Sequence, residues 1–179
     1  LKQRGVDVRL QVRGTTGMIV VLIDQAGERV MFPSRGASLQ LEPVDPACLD
    51  GLDILHVTAY SFDGGSTATT VRQAVHEQHH RGGKVSLDVS STGMIDHFGV
   101  AAFLDLMDEL RPDFISANRD EAHHLDLIRG DHPGPQLARF GDAILLARQG
   151  KAATNLSQSG RLAATVPVTP VDGVRDMTG

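Results

Sequence analysis

The sequence has little cysteine and few aromatic residues. Its 179 residues include one cysteine, Cys48, no tryptophan and only 4% aromatic residues in all. A single cysteine excludes an internal disulfide framework and fits a reducing compartment, which we predict to be the cytoplasm. Cys48 has no base or metal-ligand pattern beside it, so we interpret it as a small buried or half-buried residue. The scarcity of aromatic rings leaves few platforms on which bases or sugars could stack.

Long apolar runs and an excess of positive charge are also missing. No apolar stretch approaches the ~20 residues of a membrane-spanning helix. The formal net charge is −5, with both signs scattered along the chain. We therefore expect neither nucleic acid nor a membrane as a partner. A hydrophobic content of 41% in a chain of this length predicts one medium-sized domain with a sizeable core.

The first part of the chain has the pattern of β-structure. Apolar residues alternate with polar ones over residues 6–12, which predicts a strand with one wet face. A continuous apolar strand is predicted at Met18–Ile23, and residues 28–32 are predicted to run back beside it. This antiparallel meander is too small to hold a core alone, so we expect another sheet or subunit to cover it.

From residue 54 the pattern alternates between strands and helices. Buried strands are predicted at residues 54–59, 84–89 and 143–147 and from Phe114; helices are predicted at 66–81, around 100–107 and from Arg119. Strands that alternate with helices indicate the α/β class, with a parallel sheet and right-handed crossovers.

Four polar residues fall at or just past the ends of these strands. They are Tyr60, Asp88, Asn118 and Arg148. Because the carboxyl ends of parallel strands meet at one edge of a sheet, and ligands bind there, we expect these side chains to line a site. Each also has a plainer interpretation: Asp88 as a turn acceptor, for example, or Arg148 as a solvated charge.

The pair Asn118 and Glu121 marks the point where a strand ends and a helix begins. Asn118 is a good N-cap, and the helix N-terminus offers free N–H groups to an anion. Glu121, one turn into the helix, offers oxygen to a hard cation such as Mg²⁺. This combination suits a metal–phosphate complex. The same spacing also fits a capping box, in which the two side chains only stabilise the helix end.

The segment from His76 to His80 satisfies the H-E-x-x-H pattern of zinc-binding helices. At about 100° per residue, Val75 and Gln78 lie on the face that would pack against the sheet, whereas His76 and His80 point to the solvated side. A catalytic zinc also needs a third ligand and a sheltered cavity. We therefore do not assign a metalloprotease function to this segment.

Three motifs in this order resemble those of the ribokinase-like, or PfkB-type, carbohydrate kinases. Asn118 and Glu121 match the N-x-x-E motif, and Gly150, after the strand at 143–147, matches the first glycine of an L-G-x-x-G turn whose second glycine is Ala153 here. Residues 176–179, Asp-Met-Thr-Gly, match the start of a D-T-x-G-A-G-D motif, with Met177 in place of the usual threonine. The glycine turns before Met18 and at Gly36-Ala37 also resemble this family.

The resemblance implies a fold and an activity. It implies a three-layer, Rossmann-like ribokinase fold with a parallel central sheet and a small antiparallel β lid. Residues 1–38 would form part of the lid and residues 39–179 an incomplete kinase core. The implied activity is ATP-dependent phosphorylation of the hydroxymethyl group of a sugar or sugar-like compound. The alternatives are a nucleoside kinase of the same fold and a catalytically inactive binding module.

The resemblance also implies roles for individual residues. Glu121 and Asn118 would organise Mg²⁺, and Asn118, Arg148 and Gly150 would lie against ATP. The remaining implied roles are a monovalent-cation site such as one for K⁺ at Asp176 and Thr178, an anion hole at Gly179, and substrate contacts at Gly36, Ala37 and Tyr60. The catalytic base of the family lies beyond Gly179, so we expect this fragment alone to be inactive. A homodimer through the β lid is a further expectation.

Overall fold

The computed structural model describes residues 1–25, 29–150 and 152–169. The chain divides into two compact units. The first contains residues 1–50 and 61–74, and the second contains residues 51–60 and 75–179.

The first unit carries a two-stranded antiparallel hairpin. Strand β1 (Met18–Ile23) pairs with β2 (Arg29–Ser34), and Val20 lies opposite Phe32. All six residues of β1 are exposed. Two short 3₁₀ helices follow, Gly36–Leu39 and Pro46–Leu49. The hairpin confirms the prediction of a small antiparallel sheet, although it covers no core of its own among the described residues.

The predicted strand at residues 6–12 is wrong. Among the described residues this segment has no strand partner, and the opening is therefore a hairpin and not a meander. The backbone of Glu42 bonds to the Gln11 side chain, which accepts from Glu42 N at 2.8 Å and donates to Glu42 O at 3.2 Å. Alternation of polar and apolar residues predicts two faces, but a strand also needs a neighbouring backbone to complete its hydrogen bonds.

The second unit is built on a six-stranded sheet in the order β10-β9-β8-β5-β4-β3. Strands β3, β4, β5 and β8 are parallel, and β9 and β10 continue the sheet as antiparallel strands. A separate two-stranded ladder consists of β6 and β7. The bounds are β3 Ile54–Thr58, β4 Lys84–Asp88, β5 Phe114–Asn118, β6 Ile128–Arg129, β7 His132–Pro133, β8 Ile144–Arg148, β9 Thr154–Gln158 and β10 Arg161–Val166.

Helices join the parallel strands and flank the sheet. They are α1 Gly65–His80, α2 Thr92–Phe98, α3 Val100–Leu110 and α4 Arg119–His124. Helix α3 buries an apolar stripe that includes Phe103 and Met107, both fully buried, as its spacing predicts. It ends at Arg111, which takes a left-handed conformation just before Pro112. None of the helices among the described residues has the length and apolar character needed to cross a membrane.

The predicted α/β class is confirmed, and the predicted parallel strands lie within one residue of their expected bounds. The antiparallel pair β9 and β10 was not predicted, because β9 is polar and buries only Ser157. The dipeptide Ser159-Gly160 between them is the sequence signal that indicates a hairpin. Both residues have positive φ, 50° and 71°, as a two-residue hairpin turn requires. Helix α2 was also missed.

The faces of α1 agree with the sequence analysis. His76 and His80 are exposed, whereas Val75 and Gln78 are buried. Gln78 donates from Nε2 to Leu52 O at 2.7 Å. The H-E-x-x-H histidines therefore lie on the solvated side, as predicted. Cys48 is half-buried, also as predicted.

Candidate active site

The carboxyl ends of the parallel strands bring four predicted residues to one sheet edge. Asp88 ends β4, Asn118 ends β5 and Arg148 ends β8, with Asn118 directly opposite Arg148 in the sheet register. Tyr60 follows β3, the strand that pairs with β4. The prediction that these residues share an edge is confirmed by the parallel pairing of β3, β4, β5 and β8.

Asn118 and Glu121 form a complete capping box at the start of α4. The Asn118 side chain accepts a hydrogen bond from Glu121 N at 2.9 Å. In return, the two carboxylate oxygens of Glu121 accept from Asn118 N at 2.8 Å and from Asn118 Nδ2 at 2.5 Å. Glu121 is 1% exposed. The capping interpretation is thus confirmed, and it fixes a buried carboxylate at the sheet edge.

Arg148 links this buried carboxylate to a second one. Its Nη2 lies 3.0 Å from Asp88 Oδ2 and 4.0 Å from Glu121 Oε2. The Arg148 side chain is about half exposed, whereas the Asp88 side chain is 22% exposed. The cluster therefore holds two carboxylates and one guanidinium, and the guanidinium is its most exposed member.

Burial raises the pKa of the Glu121 carboxyl above its ordinary value. The hydrogen bond from the Asn118 backbone N–H opposes this effect. The negative charge of Asp88 raises the pKa further, and the positive charge of Arg148 lowers it. A carboxyl with such an environment at a sheet edge has the character of a functional group, because a bound cation would remove the penalty on its charge.

Ser90 belongs to the cluster although no sequence pattern pointed to it. It has φ 77°, a left-handed conformation that is uncommon for a residue other than glycine. Its N–H donates to Asp88 Oδ1 at 2.9 Å, and its carbonyl accepts from the Tyr60 hydroxyl at 3.5 Å. Ser90 thus orients Asp88 towards Arg148 and connects Tyr60 to the same edge.

The other predicted site residues lie elsewhere or outside the described residues. Gly150 follows β8 with φ 59°, and a side chain there would meet nothing within 4 Å. Gly36 and Ala37 lie in the first unit, where a Cβ on Gly36 would come within 2.5 Å of Thr15 O. The cation-site residues Asp176 and Thr178 and the anion-hole residue Gly179 are outside the described residues.

The donor set at this edge fits a hydrated magnesium–phosphate complex better than a protein-made cage. Among the described residues, no group of three or more His, Cys, Asp and Glu side chains could hold a metal ion. Asp88 and Glu121 are hard oxygen donors, and Mg²⁺ commonly uses only one or two carboxylates together with water and phosphate oxygens. Arg148 would add a cation suited to phosphate.

Comparison with solved structures identifies the fold that carries this sheet edge. A probable sugar kinase from Rhizobium etli CFN 42 matches 99% of the chain with a TM-score of 0.83 and 22% identity. The fold is ribokinase-like. An adenosine kinase from Sinorhizobium meliloti matches 91% of the chain with a TM-score of 0.74 and 22% identity. An Anopheles gambiae adenosine kinase in complex with P1,P4-di(adenosine-5) tetraphosphate matches 90% with a TM-score of 0.66 and 16% identity.

The chain spans about half the length of these structures with the ribokinase-like fold. It covers 55%, 50% and 51% of the Rhizobium, Sinorhizobium and Anopheles chains, respectively. No known family model matches the sequence, and no curated protein does. At these identities the likeness establishes the fold, and the ribokinase-like fold predicted from the motifs is confirmed.

Proposed function

We propose that this chain is the central part of an ATP-dependent phosphotransferase that phosphorylates a hydroxymethyl group. The observation that carries the proposal is the cluster of Glu121, Asn118, Arg148 and Asp88 at the carboxyl edge of a ribokinase-like sheet. This is where an open α/β sheet binds its ligands. Phosphoryl transfer depends chiefly on positioning and on charge neutralisation, which a buried carboxylate and a half-exposed arginine can provide.

Each residue has a defined part in this proposal. Mg²⁺, when bound, would supply neutralisation of phosphate charge, and Glu121 and Asn118 would hold it with its water. Arg148 donates to phosphate oxygens after leaving Asp88, and Ser90 keeps Asp88 facing the site. Gly150 leaves open space beside the sheet edge in which a nucleotide can lie. A monovalent cation, and the cytoplasmic location expected from the composition, stay predictions.

The acceptor is proposed to be a sugar or a sugar-like alcohol. A nucleoside is the second candidate, because adenosine kinases share the fold over nine-tenths of the chain. Tyr60 is proposed to contact the acceptor; contacts from Gly36 and Ala37, which belong to the first unit, stay a prediction. Tyr60 is 39% exposed at the sheet edge.

The first test is ATP binding to the 179-residue chain, measured by calorimetry with and without Mg²⁺. We expect Mg²⁺ to tighten binding in the wild type but not in Glu121→Gln. Arg148→Gln should weaken binding about tenfold, because one charge-assisted hydrogen bond is worth about 1.5 kcal/mol. Arg129→Gln is the matched control, since Arg129 is an exposed arginine paired with Asp126 away from the cluster. Equal affinities in all four proteins would contradict the proposed site.

The second test is ADP release by the full-length protein with a panel of sugars and nucleosides. Turnover with one class identifies the acceptor. Loss of that turnover in Glu121→Gln, by about 2–4 kcal/mol of activation free energy, is expected if the charge at the metal supports transfer. ATP binding without any acceptor-dependent turnover would favour the inactive binding module instead.

A further inference from the structure

A cavity lies at the amino-terminal edge of the central sheet, opposite the carboxyl edge that carries the candidate active site. Its volume is about 330 Å³. Its lining includes Lys84, Phe114 and Ile144, which are the first residues of β4, β5 and β8. The candidate active site involves the last residues of the same strands, among them Asn118 and Arg148. The cavity is therefore separate from that site.

Two positive charges at this cavity form no ion pair with the described residues. The ammonium of Lys84 lies 5.5 Å from the centroid of the Phe114 ring, and its contact there is with the ring face. Arg111 is exposed and caps α3 in a left-handed conformation, φ 44° and ψ 57°. By contrast, Arg139 in a neighbouring cavity is paired with Asp105 and Asp108. Lys84 and Arg111 are thus the cations free to bind an anion.

The remaining lining combines an apolar floor with hydrogen-bonding groups. Pro112 and Ala143 are buried, and Phe140 is half-buried. Asp142 Oδ1 accepts a hydrogen bond from Ser159 Oγ at 2.8 Å. Asp142 Oδ2 has no partner among the described contacts, so it can accept a hydrogen bond from a ligand. The neighbouring cavity of about 270 Å³ is lined in part by the same residues, Arg111, Pro112 and Phe140. These groups suit hydroxyls on a small carbon skeleton.

We propose that this cavity binds a small phosphorylated, hydroxyl-bearing metabolite. Its phosphate is held by Arg111 and Lys84, because a guanidinium fits phosphate oxygens through paired N–H donors and an ammonium adds a point charge. Its hydroxyls bond to Asp142 and Gln158, both of which line the cavity. Asp113 also lines the cavity; its Oδ2 accepts from Val85 N at 2.8 Å, and among the described contacts it forms no ion pair with Lys84 or Arg111. The cavity lies at a different edge of the sheet from the candidate active site, so this proposal does not depend on the proposed kinase function.

The test is binding of ribose 5-phosphate to the 179-residue chain, measured by calorimetry in the absence of nucleotide and Mg²⁺. The cavity variant combines Arg111→Asn, which tolerates the left-handed backbone, with Lys84→Met, which keeps an apolar stem against Phe114. We expect this variant to bind at least about tenfold more weakly, since it loses charge-assisted contacts. The matched control removes the same two residue types, Lys2→Met with Arg4→Asn, outside the cavity.

Further arms decide where the phosphate sits. Loss of ribose 5-phosphate affinity in Arg148→Gln, with retention in the cavity variant, would place binding at the carboxyl edge and overturn the proposal. Ribose without phosphate should bind at least about tenfold more weakly, as the cations have no partner. Amide chemical shifts of the wild type, which need no variant to fold, should move at residues 142–144 and not at 118–121. Shifts confined to 118–121, or no binding by the wild type, would also overturn it.

Discussion

Glu121 is both a helix-capping residue and a buried carboxylate. The effect of its substitution on stability can therefore be measured without any ligand. Both of its oxygens accept hydrogen bonds from Asn118. In Glu121→Gln one oxygen becomes an NH₂ group that faces a donor, so a buried donor is left unsatisfied. We expect the free energy of unfolding to fall by about 1–3 kcal/mol, measured in urea. Unchanged stability would mean that the capping box contributes little.

The same pair of proteins should show a pH-dependent difference, because only the wild type titrates at this position. The folded-state pKa of Glu121 lies above its ordinary value of 4.5. The stability that the protonated carboxyl contributes is therefore fully present below about pH 4.5 and is lost as the pH rises through the raised pKa. Urea unfolding of both proteins from pH 4 to 8, without Mg²⁺, measures this. If the wild type instead became more stable relative to Glu121→Gln as the pH rises, the Asn118 hydrogen bonds and Arg148 would outweigh burial in setting the pKa of Glu121.

At the scale of elements, helix α1 has two faces that should respond differently to substitution. His76 and His80 are exposed, so changing both to Ala should alter the free energy of unfolding by no more than about 0.5 kcal/mol. Gln78 on the other face is fully buried and bonds to Leu52 O. Gln78→Ala should cost about 1–3 kcal/mol because Leu52 O loses its donor. Zinc retained stoichiometrically by the purified wild type and lost in the double-His variant would reverse our interpretation of this helix.

The turn between β9 and β10 offers a matched pair of glycine substitutions. Gly160 has φ 71° and Gly93, within α2, does not have positive φ; a Cβ at either position meets nothing closer than 3.9 Å. Gly160→Ala should destabilise the protein by about 1–2 kcal/mol through backbone strain alone. Gly93→Ala should stabilise it by about 0.5–1 kcal/mol, since alanine favours a helix. Thermal unfolding of the two variants gives the comparison, and equal shifts would argue against the hairpin turn.

At the scale of the whole molecule, the exposed hairpin bears on assembly. All six apolar residues of β1 are 41% to 67% exposed, and Phe32 on β2 is 55% exposed. An exposed apolar surface of this kind is a candidate interaction site. We propose that a second copy of the chain covers one face of the hairpin. Because side chains alternate across a strand, Ile19 and Val21 share one face and Val20 lies on the other.

Light scattering after size exclusion tests this assembly. Ile19→Lys with Val21→Lys, or Val20→Lys alone, should convert a dimer to a monomer, and only the face that is covered should respond. The unaffected face provides the internal control. A monomeric wild type at all concentrations would overturn the proposed dimer.

Local sequence patterns determined the parallel strands, the capping box and the solvated face of α1. Each of these depends on hydrophobic spacing or on residues three or four apart, as with Asn118 and Glu121, so each can be read along the chain. The alternation of strands with helices likewise placed Asp88 and Arg148 at one edge, because strands joined by helical crossovers run parallel and their carboxyl ends meet at the same edge of the sheet.

Only the tertiary structure decided the contacts that join distant segments. The 60-residue separation of Arg148 from Asp88 is bridged by sheet order, which places β4 and β8 on either side of β5. The strand predicted at residues 6–12 failed for the converse reason, since its pattern was right but no strand lay beside it. Sequence specifies the polar and apolar faces of an element, whereas hydrogen-bond partners between strands are fixed only when the whole chain packs.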